Sequence, residues 1–334
     1  MTQAFTFSIR LNNDHRIEEY VALALRAEAL GFDQFWVSND LFLKSAPVIL
    51  SAVAGATSRI GIGTAILNPY TMNPAEIAML AATLDELSGN RFLLGFAAGA
   101  GEFIKWVGVE YRTPLAAVRE SVAAIRRVLA GEPGVESSTL PWTKDAYLRF
   151  RAPRITPIYI GAMGPKMLRL SGEIGDGALP LLLPPEHYFA VRPILEEGMK
   201  DRDPAMGPLD FACCIWVSLS SDARAARRVL AEKIAYYGSA LSPLILERLS
   251  LTRQDFAIIE RAVTEERDMD KACSLVDDRM LGIGVVGGAK EVIQRLEPLV
   301  AAGGRHLSFG PPLGPDPLEA VEILGREVLP YFRS

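Results

Sequence analysis

Arg10, Asn39 and Asp40 are polar residues standing where strands should end, and their types suit work on a charged substrate. Phe5-Thr-Phe-Ser-Ile-Arg10 reads as a strand finishing on a guanidinium, which is costly to bury without an acidic partner or an anionic ligand. Asn39 and Asp40 follow the apolar run Gln34–Val37 at the equivalent position. Two readings are open. Arg10 and Asp40 form an ion pair that braces the rim, or these groups orient a cofactor ring or a substrate. In the second case Asp40 can act as general acid or base if burial raises its pKa.

Two loops have the composition of ligand cradles. Gly161-Ala-Met-Gly-Pro-Lys166 follows an apolar strand and opens a helix, so free backbone N–H groups and the positive helix end converge where a phosphate would bind, with Lys166 adding charge. The competing reading is an ordinary turn shaped by Gly and Pro. Ala97-Ala-Gly-Ala-Gly-Glu102 is a second small-residue loop, which lets a flat ring or a phosphate approach the backbone. Gly282-Ile-Gly-Val-Val-Gly287 matches a dinucleotide fingerprint, but no buried strand precedes it and no acidic residue ends a second strand about 20 residues later; it reads as a turn before a helix. His15, His187 and His306 stand apart from one another and from the cysteines, so no metal site is expected. No Gly-x-Ser-x-Gly elbow suggests a hydrolase.

The elements that must carry these residues alternate from end to end. Strands are expected at Phe5–Arg10, Gln34–Val37, Ile60–Leu67, Phe92–Phe96, Pro157–Gly161, Gly177–Leu182, Asp210–Leu219 and His306–Gly310. Helices fill the intervals; Ile77, Leu80, Ala81, Leu84 and Leu87 form one apolar stripe. Eight such units in 334 residues predict a (β/α)8 TIM barrel in one domain over 1–334, with insertions at about 131–154 and 238–281. A doubly wound open sheet fits eight regular units less well.

The 35 basic and 40 acidic residues give a formal charge of −5 without a basic run, so nucleic acid is not the expected partner. No apolar run reaches the roughly 18 to 20 residues of a membrane span. Cys213, Cys214 and Cys273 read as small core residues. With no export signal at the amino terminus, the expected location is the cytoplasm and the expected partner a small-molecule substrate.

The segment Asn68-Pro-Tyr-Thr-Met-Asn-Pro74, running into Leu84-Asp-Glu-Leu-Ser-Gly89, resembles the luciferase-like superfamily of flavin- and deazaflavin-dependent oxidoreductases, nearest its methylenetetrahydromethanopterin reductase branch. Ile158-Tyr-Ile-Gly-Ala-Met-Gly-Pro-Lys-Met167 with Gly175-Asp-Gly177 supports the likeness independently. It extends over most of residues 5–185 and weakly to the C-terminal strand and helix. The resemblance implies a TIM barrel holding FMN or coenzyme F420 at the carboxyl ends of the strands, hydride exchange with a small organic substrate, and assembly of two or more copies. The related alternatives are an FMN-dependent monooxygenase using O2 and a flavin-binding barrel without catalysis. By position, Thr64, Ala65 and Ile66 would back the ring across a non-proline cis bond at Ala65–Ile66, with Asn39 and Asn68 near its polar edge. Ala98, Gly99 and Ala100, with Gly161, Ala162, Met163, Gly164, Pro165 and Lys166, would bind the ribityl and phosphate portions. The chain departs from the reductases in two places. Arg10 replaces a glutamate suited to donate a proton, and Asn39-Asp40 replaces an Asp-His pair. A guanidinium cannot deliver a proton at neutral pH, so Arg10 suits an anionic substrate or cofactor tail instead.

Overall fold

A computed structural model describes residues 4–139 and 144–333. Nine strands are present among them: β1 (Thr6–Leu11), β2 (Gln34–Val37), β3 (Gly61–Thr64), β4 (Phe92–Phe96), β5 (Ile158–Ile160), β6 (Gly177–Ala178), β7 (Asp210–Leu219), β8 (Val285–Gly287) and β9 (His306–Leu313). All pairings are parallel, and β1 to β7 with β9 close into a ring through the β6–β7, β7–β9 and β9–β1 contacts. That ring, with helices around it, is the expected (β/α)8 barrel, and the strand expected at His306 is β9.

The ninth strand is a correction. Val285–Gly287 was expected in a turn, yet it pairs with Val217–Leu219 of β7. Because β9 occupies the other edge of β7, β8 shares an edge with β6, which pairs only with Asp210 and Phe211. The long β7 outruns its two-residue neighbour, and β8 satisfies the backbone groups left bare above it. The residues before β8 form the short helix Asp278–Leu281, a context unlike a dinucleotide fold.

The helix Pro74–Ser88 shows how local sequence delivers the site. Asn73 caps its first turn, accepting from Ala75 N at 2.9 Å, Pro74 takes N1, and Gly89 ends it at φ 66°. β4 then starts at once. Gly95 permits β3 and β4 to approach: a Cβ there would lie 1.8 Å from Thr64 O. Gly95→Ala is expected to destabilise the fold by about 1–3 kcal/mol or more, since backbone must yield rather than a side chain. A urea midpoint equal to that of the unmodified protein would contradict this.

Odd-numbered residues of β1, such as Phe7 and Ile9, join the main apolar core beneath the helices, whereas Ser8 and Arg10 point into the ring. The floor of the barrel is a polar chain. His306 lies between Ser8 Oγ (2.8 Å) and Asp210 (2.9 Å), Asp210 accepts from Tyr159 Oη at 2.7 Å, and Gln34 links Tyr159 to Trp36. The histidine sequence reading set aside as non-metal is thus a buried structural partner. Cys213, Cys214 and Cys273 are buried, as expected of small core residues.

A second apolar cluster sits over the carboxyl end of β7. It joins Trp216 to Leu230 and Ile234 of the helix Ala223–Tyr237 and to Leu246, Phe256, Ile259 and Met280 of the following short helices. The expected 238–281 insertion corresponds to these short helices, which complete a lid over one side of the barrel mouth. The expected 131–154 insertion has no helix or strand in its described residues; 140–143 lie outside them.

Candidate active site

The carboxyl ends of β1 to β6 bring most of the expected residues to one mouth. Arg10, beside Trp36 in register, is 2% exposed. Its Nη1 donates to Pro180 O, just past β6, at 2.6 Å, while Nε and Nη2 have no partner. Burial pushes the guanidinium pKa down. The ion pair between Arg10 and Asp40 does not form: among the described residues no carboxylate is in contact with Arg10. Asp40 instead lies near Lys233, burial raising its pKa while the ammonium opposes the rise. Asn13, fully buried, ties the loops together through Nδ2 to Asp40 O (3.0 Å) and Lys44 O (2.6 Å).

Asn39 has a structural contact through its oxygen. Its Oδ1 accepts from Ala46 N at 3.0 Å and so holds the first turn of the helix Ala46–Ala56. The contact forms because a loop entering a helix leaves free N–H groups that a nearby amide oxygen satisfies, and it leaves the amide nitrogen of Asn39 for a ligand.

After β3, the peptide bond Ala65–Ile66 is cis, as the resemblance implied. Thr64 Oγ1 donates to Gly95 O at 3.1 Å, and Ala65 and Ile66 pack with Trp36, Tyr159 and Leu179. Asn68 Oδ1 accepts from Tyr70 N and Thr71 N, both at 3.0 Å, so its oxygen builds the turn and only its amide nitrogen is left for a ligand. After β4, Ala98 is buried and Gly99 takes φ 74°, its carbonyl accepting from Tyr111 Oη at 3.2 Å. The small-residue loop is shorter than expected, since a helix begins at Gly101.

After β5, Gly161, Ala162, Met163 and Gly164 lead into the helix Pro165–Ile174, whose N-cap Gly164 offers no capping side chain and faces open space. Met163 Sδ accepts from Leu181 N at 3.3 Å. Lys166 is exposed and lines an outer groove with Arg169, Pro193 and Glu197. The loops after β3, β4 and β5 converge. A Cβ on Gly161 would come within 2.9 Å of Ala97 Cβ and 3.2 Å of Ile66 Cγ2, and one on Gly99 within 3.5 Å of Asn68 Cγ.

Sequence reading missed Lys233. It is 9% exposed, with Nζ 3.2 Å from Asn12 Oδ1, 4.1 Å from the Tyr237 ring centroid and 5.2 Å from that of Trp216. Burial lowers its pKa to about 8, against the pull of Asp40 and Asp14. The available signal was a lysine in helical phase with Ala226, Leu230 and Tyr237, on a face otherwise apolar.

A closed parallel barrel with its polar and glycine-rich loops at the carboxyl end has the architecture of a barrel enzyme. The chain belongs to the luciferase-like monooxygenase family, whose model matches residues 2–306. The 5,10-methylenetetrahydromethanopterin reductase of Methanolobus tindarius is 30% identical over 327 residues, covering 97% of this chain and 99% of that one. An F420-dependent glucose-6-phosphate dehydrogenase of Microbacterium testaceum is 29% identical over 332 residues, covering 95% and 94%. The solved coenzyme F420-dependent tetrahydromethanopterin reductase of Methanopyrus kandleri superposes with a TM-score of 0.90 at 29% identity, covering 99% of this chain and all of that one. The chain is therefore an oxidoreductase of the luciferase-like superfamily. More distant structural neighbours, including a Baeyer–Villiger monooxygenase at 17% identity, share the fold. No described helix is long and apolar enough to cross a membrane.

Proposed function

We propose that this protein uses coenzyme F420 to exchange hydride with a small organic substrate, in the manner of the reductases and dehydrogenases it resembles. The observation that carries the reading is the convergence of the β3, β4 and β5 loops on one small-residue cradle, where Gly161 has no room for a side chain against Ala97 and Ile66. The residues fit the cofactor. Ala65 and Ile66 would back its ring, Ala98 to Ala100 would line its ribityl portion, and the uncapped N–H groups from Gly164 onward would hold phosphate. Lys166, exposed in the first turn of that helix, would add charge to the phosphate end. When bound, the deazaflavin supplies the hydride chemistry and the protein supplies position and electrostatics.

Arg10 would orient the substrate by its charge, and Asp40, whose pKa burial raises, would hold or release the accompanying proton. A flavin monooxygenase is the second reading, supported by the family's name. A cytoplasmic location and assembly of several copies fit the same reading. Titration of the purified protein with F420 and with FMN, followed by deazaflavin absorbance and oxygen uptake on a panel of substrates, separates these. We expect saturable F420 binding, weaker FMN binding and turnover without oxygen consumption. Preference for FMN with oxygen uptake would replace the first reading by the second.

A further inference from the structure

Two cations are buried near the mouth of this barrel, and among the described residues neither touches a carboxylate. Arg10 has one acceptor, Pro180 O, and leaves Nε and Nη2 unmatched. Lys233 has one acceptor, Asn12 Oδ1, and otherwise meets the ring faces of Tyr237 and Trp216. They meet through adjacent strands: Lys233 Nζ lies 5.2 Å from the Trp216 ring centroid, Trp216 of β7 pairs with Gly310 of β9, and β1, which carries Arg10, runs along the other side of β9 with Ile9 opposite Phe309.

The neutral groups there are lopsided as well. Trp216 Nε1 also lacks a partner, and Ser308 Oγ has only the Cys214 thiol beside it. Ser308 pairs with Cys214 and Gly310 with Trp216 across β7 and β9, while β1 runs along the other side of β9. Gly310 keeps the space beside them clear, since a Cβ there would stand 2.7 Å from Cys214 Sγ and 3.3 Å from Trp216 Cδ1. Three unmatched donors without acceptor capacity, Arg10 Nε and Nη2 and Trp216 Nε1, thus belong to strands on either side of β9, which carries Ser308. Waters can satisfy such donors but do not neutralise Arg10, which no carboxylate contacts, and Lys233 is balanced only by Asp40 and Asp14, neither of which forms an ion pair with it. A fold tolerates that arrangement where a ligand completes it.

We infer that Arg10 and Lys233 together hold an oxyanion group of the substrate, a carboxylate or a phosphate ester, with Trp216 Nε1 and Ser308 Oγ as further donors. The inference deepens the proposed function by naming the substrate class, and it rests on that reading for the chemistry that follows binding. Lys233 is then a specificity residue contributed by the lid helix, positioned by Asn12 and by its rings. The groups facing it are Asn12 and Asp14 after β1, Asp40 after β2, Cys214 and Trp216 of β7, and Tyr237 of its own helix.

The test needs no cofactor. Sulfate and acetate, as tetrahedral and planar probes, are titrated by calorimetry into the unmodified protein and into Arg10→Met, Lys233→Met and Lys233→Gln. We expect saturable binding of at least one ion, weakened about tenfold or more in each variant, as loss of a charge-assisted contact predicts. A response to sulfate assigns a phosphate ester, and a response to acetate alone assigns a carboxylate. Sulfate keeps its charge across neutral pH, so its binding should weaken as pH rises through about 8, where Lys233 loses its proton, and this pH effect should vanish in Lys233→Met. Ion-free melting temperatures of the lysine variants should stay close to that of the unmodified protein, because relief of the buried ammonium's desolvation offsets the lost attraction to Asp40 and Asp14. The proposal is overturned if neither ion binds, if the lysine variants bind as the unmodified protein does, or if both melt well below it. F420 titration of the same proteins tells the readings apart: ion binding lost with F420 binding retained supports the oxyanion site, and ion binding without any F420 binding leaves that site standing while removing the cofactor.

Discussion

With Arg10 replaced by methionine, kcat/KM on a substrate found by the absorbance screen falls about 10²–10³-fold, while F420 affinity changes by less than about threefold. The loss corresponds to about 3–4 kcal/mol of transition-state stabilisation, the range for removing one member of a desolvated charge contact. The direction follows from geometry. Arg10 reaches from β1 to Pro180 beyond β6, whereas the small-residue cradle is built by the loops after β3, β4 and β5. Methionine keeps most of the volume and the apolar contacts with the barrel lining, so folding should survive. Steady-state kinetics beside fluorescence titration of F420 measure both quantities. Cofactor affinity that collapses while the loaded enzyme turns over normally would move Arg10 into the cofactor site.

Asp85→Ala should lower stability by about 3 kcal/mol without touching the barrel mouth. Asp85 is fully buried on the helix Pro74–Ser88. Its carboxylate accepts from Arg154 Nε (3.1 Å) and Nη2 (2.9 Å), from Thr156 Oγ1 (2.5 Å) and from Phe92 N (3.2 Å), binding the third helix to the starts of β4 and β5. Removing it strands a guanidinium, a hydroxyl and an amide together, and breaking such a partly buried pair costs about 3–5 kcal/mol. The lower figure applies because the Arg154 side chain is 31% exposed. Urea unfolding gives the number, and a loss below about 1 kcal/mol would show that water replaces the aspartate readily. F420 binding of the folded fraction should be unchanged.

Asp85 also shows where the family likeness carries structure rather than chemistry. The run Leu84-Asp-Glu-Leu-Ser-Gly89 led to the resemblance, but its aspartate anchors two strands. Arg91, just beyond it, donates to Ala54 O, Thr57 O and Ile60 O. The other half of that likeness, the glycine-rich loop after β5, does lie at the mouth.

Alternation of apolar runs and helical stripes, punctuated by caps such as Asn73 and Gly89, was enough to read eight barrel strands and the closed parallel barrel they form. These are local properties, since the periods of strand and helix are written within ten or fifteen residues. The same locality made Arg10 visible as a charge at a strand end and placed Ala98, Gly99 and the Gly161–Gly164 loop at the mouth. Closure of the ring decided the rest. Whether Arg10 met Asp40 or stood unpaired depended on distances between strands far apart in sequence, and Asn39 turned to a helix start that only the folded loop brings near. β8 exists because β7 outruns β6. Lys233, far along the chain from the strand that carries Arg10, reaches the barrel only because its helix packs against Trp216. A sequence shows which side chains are unusual for their place, but the burial and partners that give a charge its energy come from the packing of segments distant along the chain.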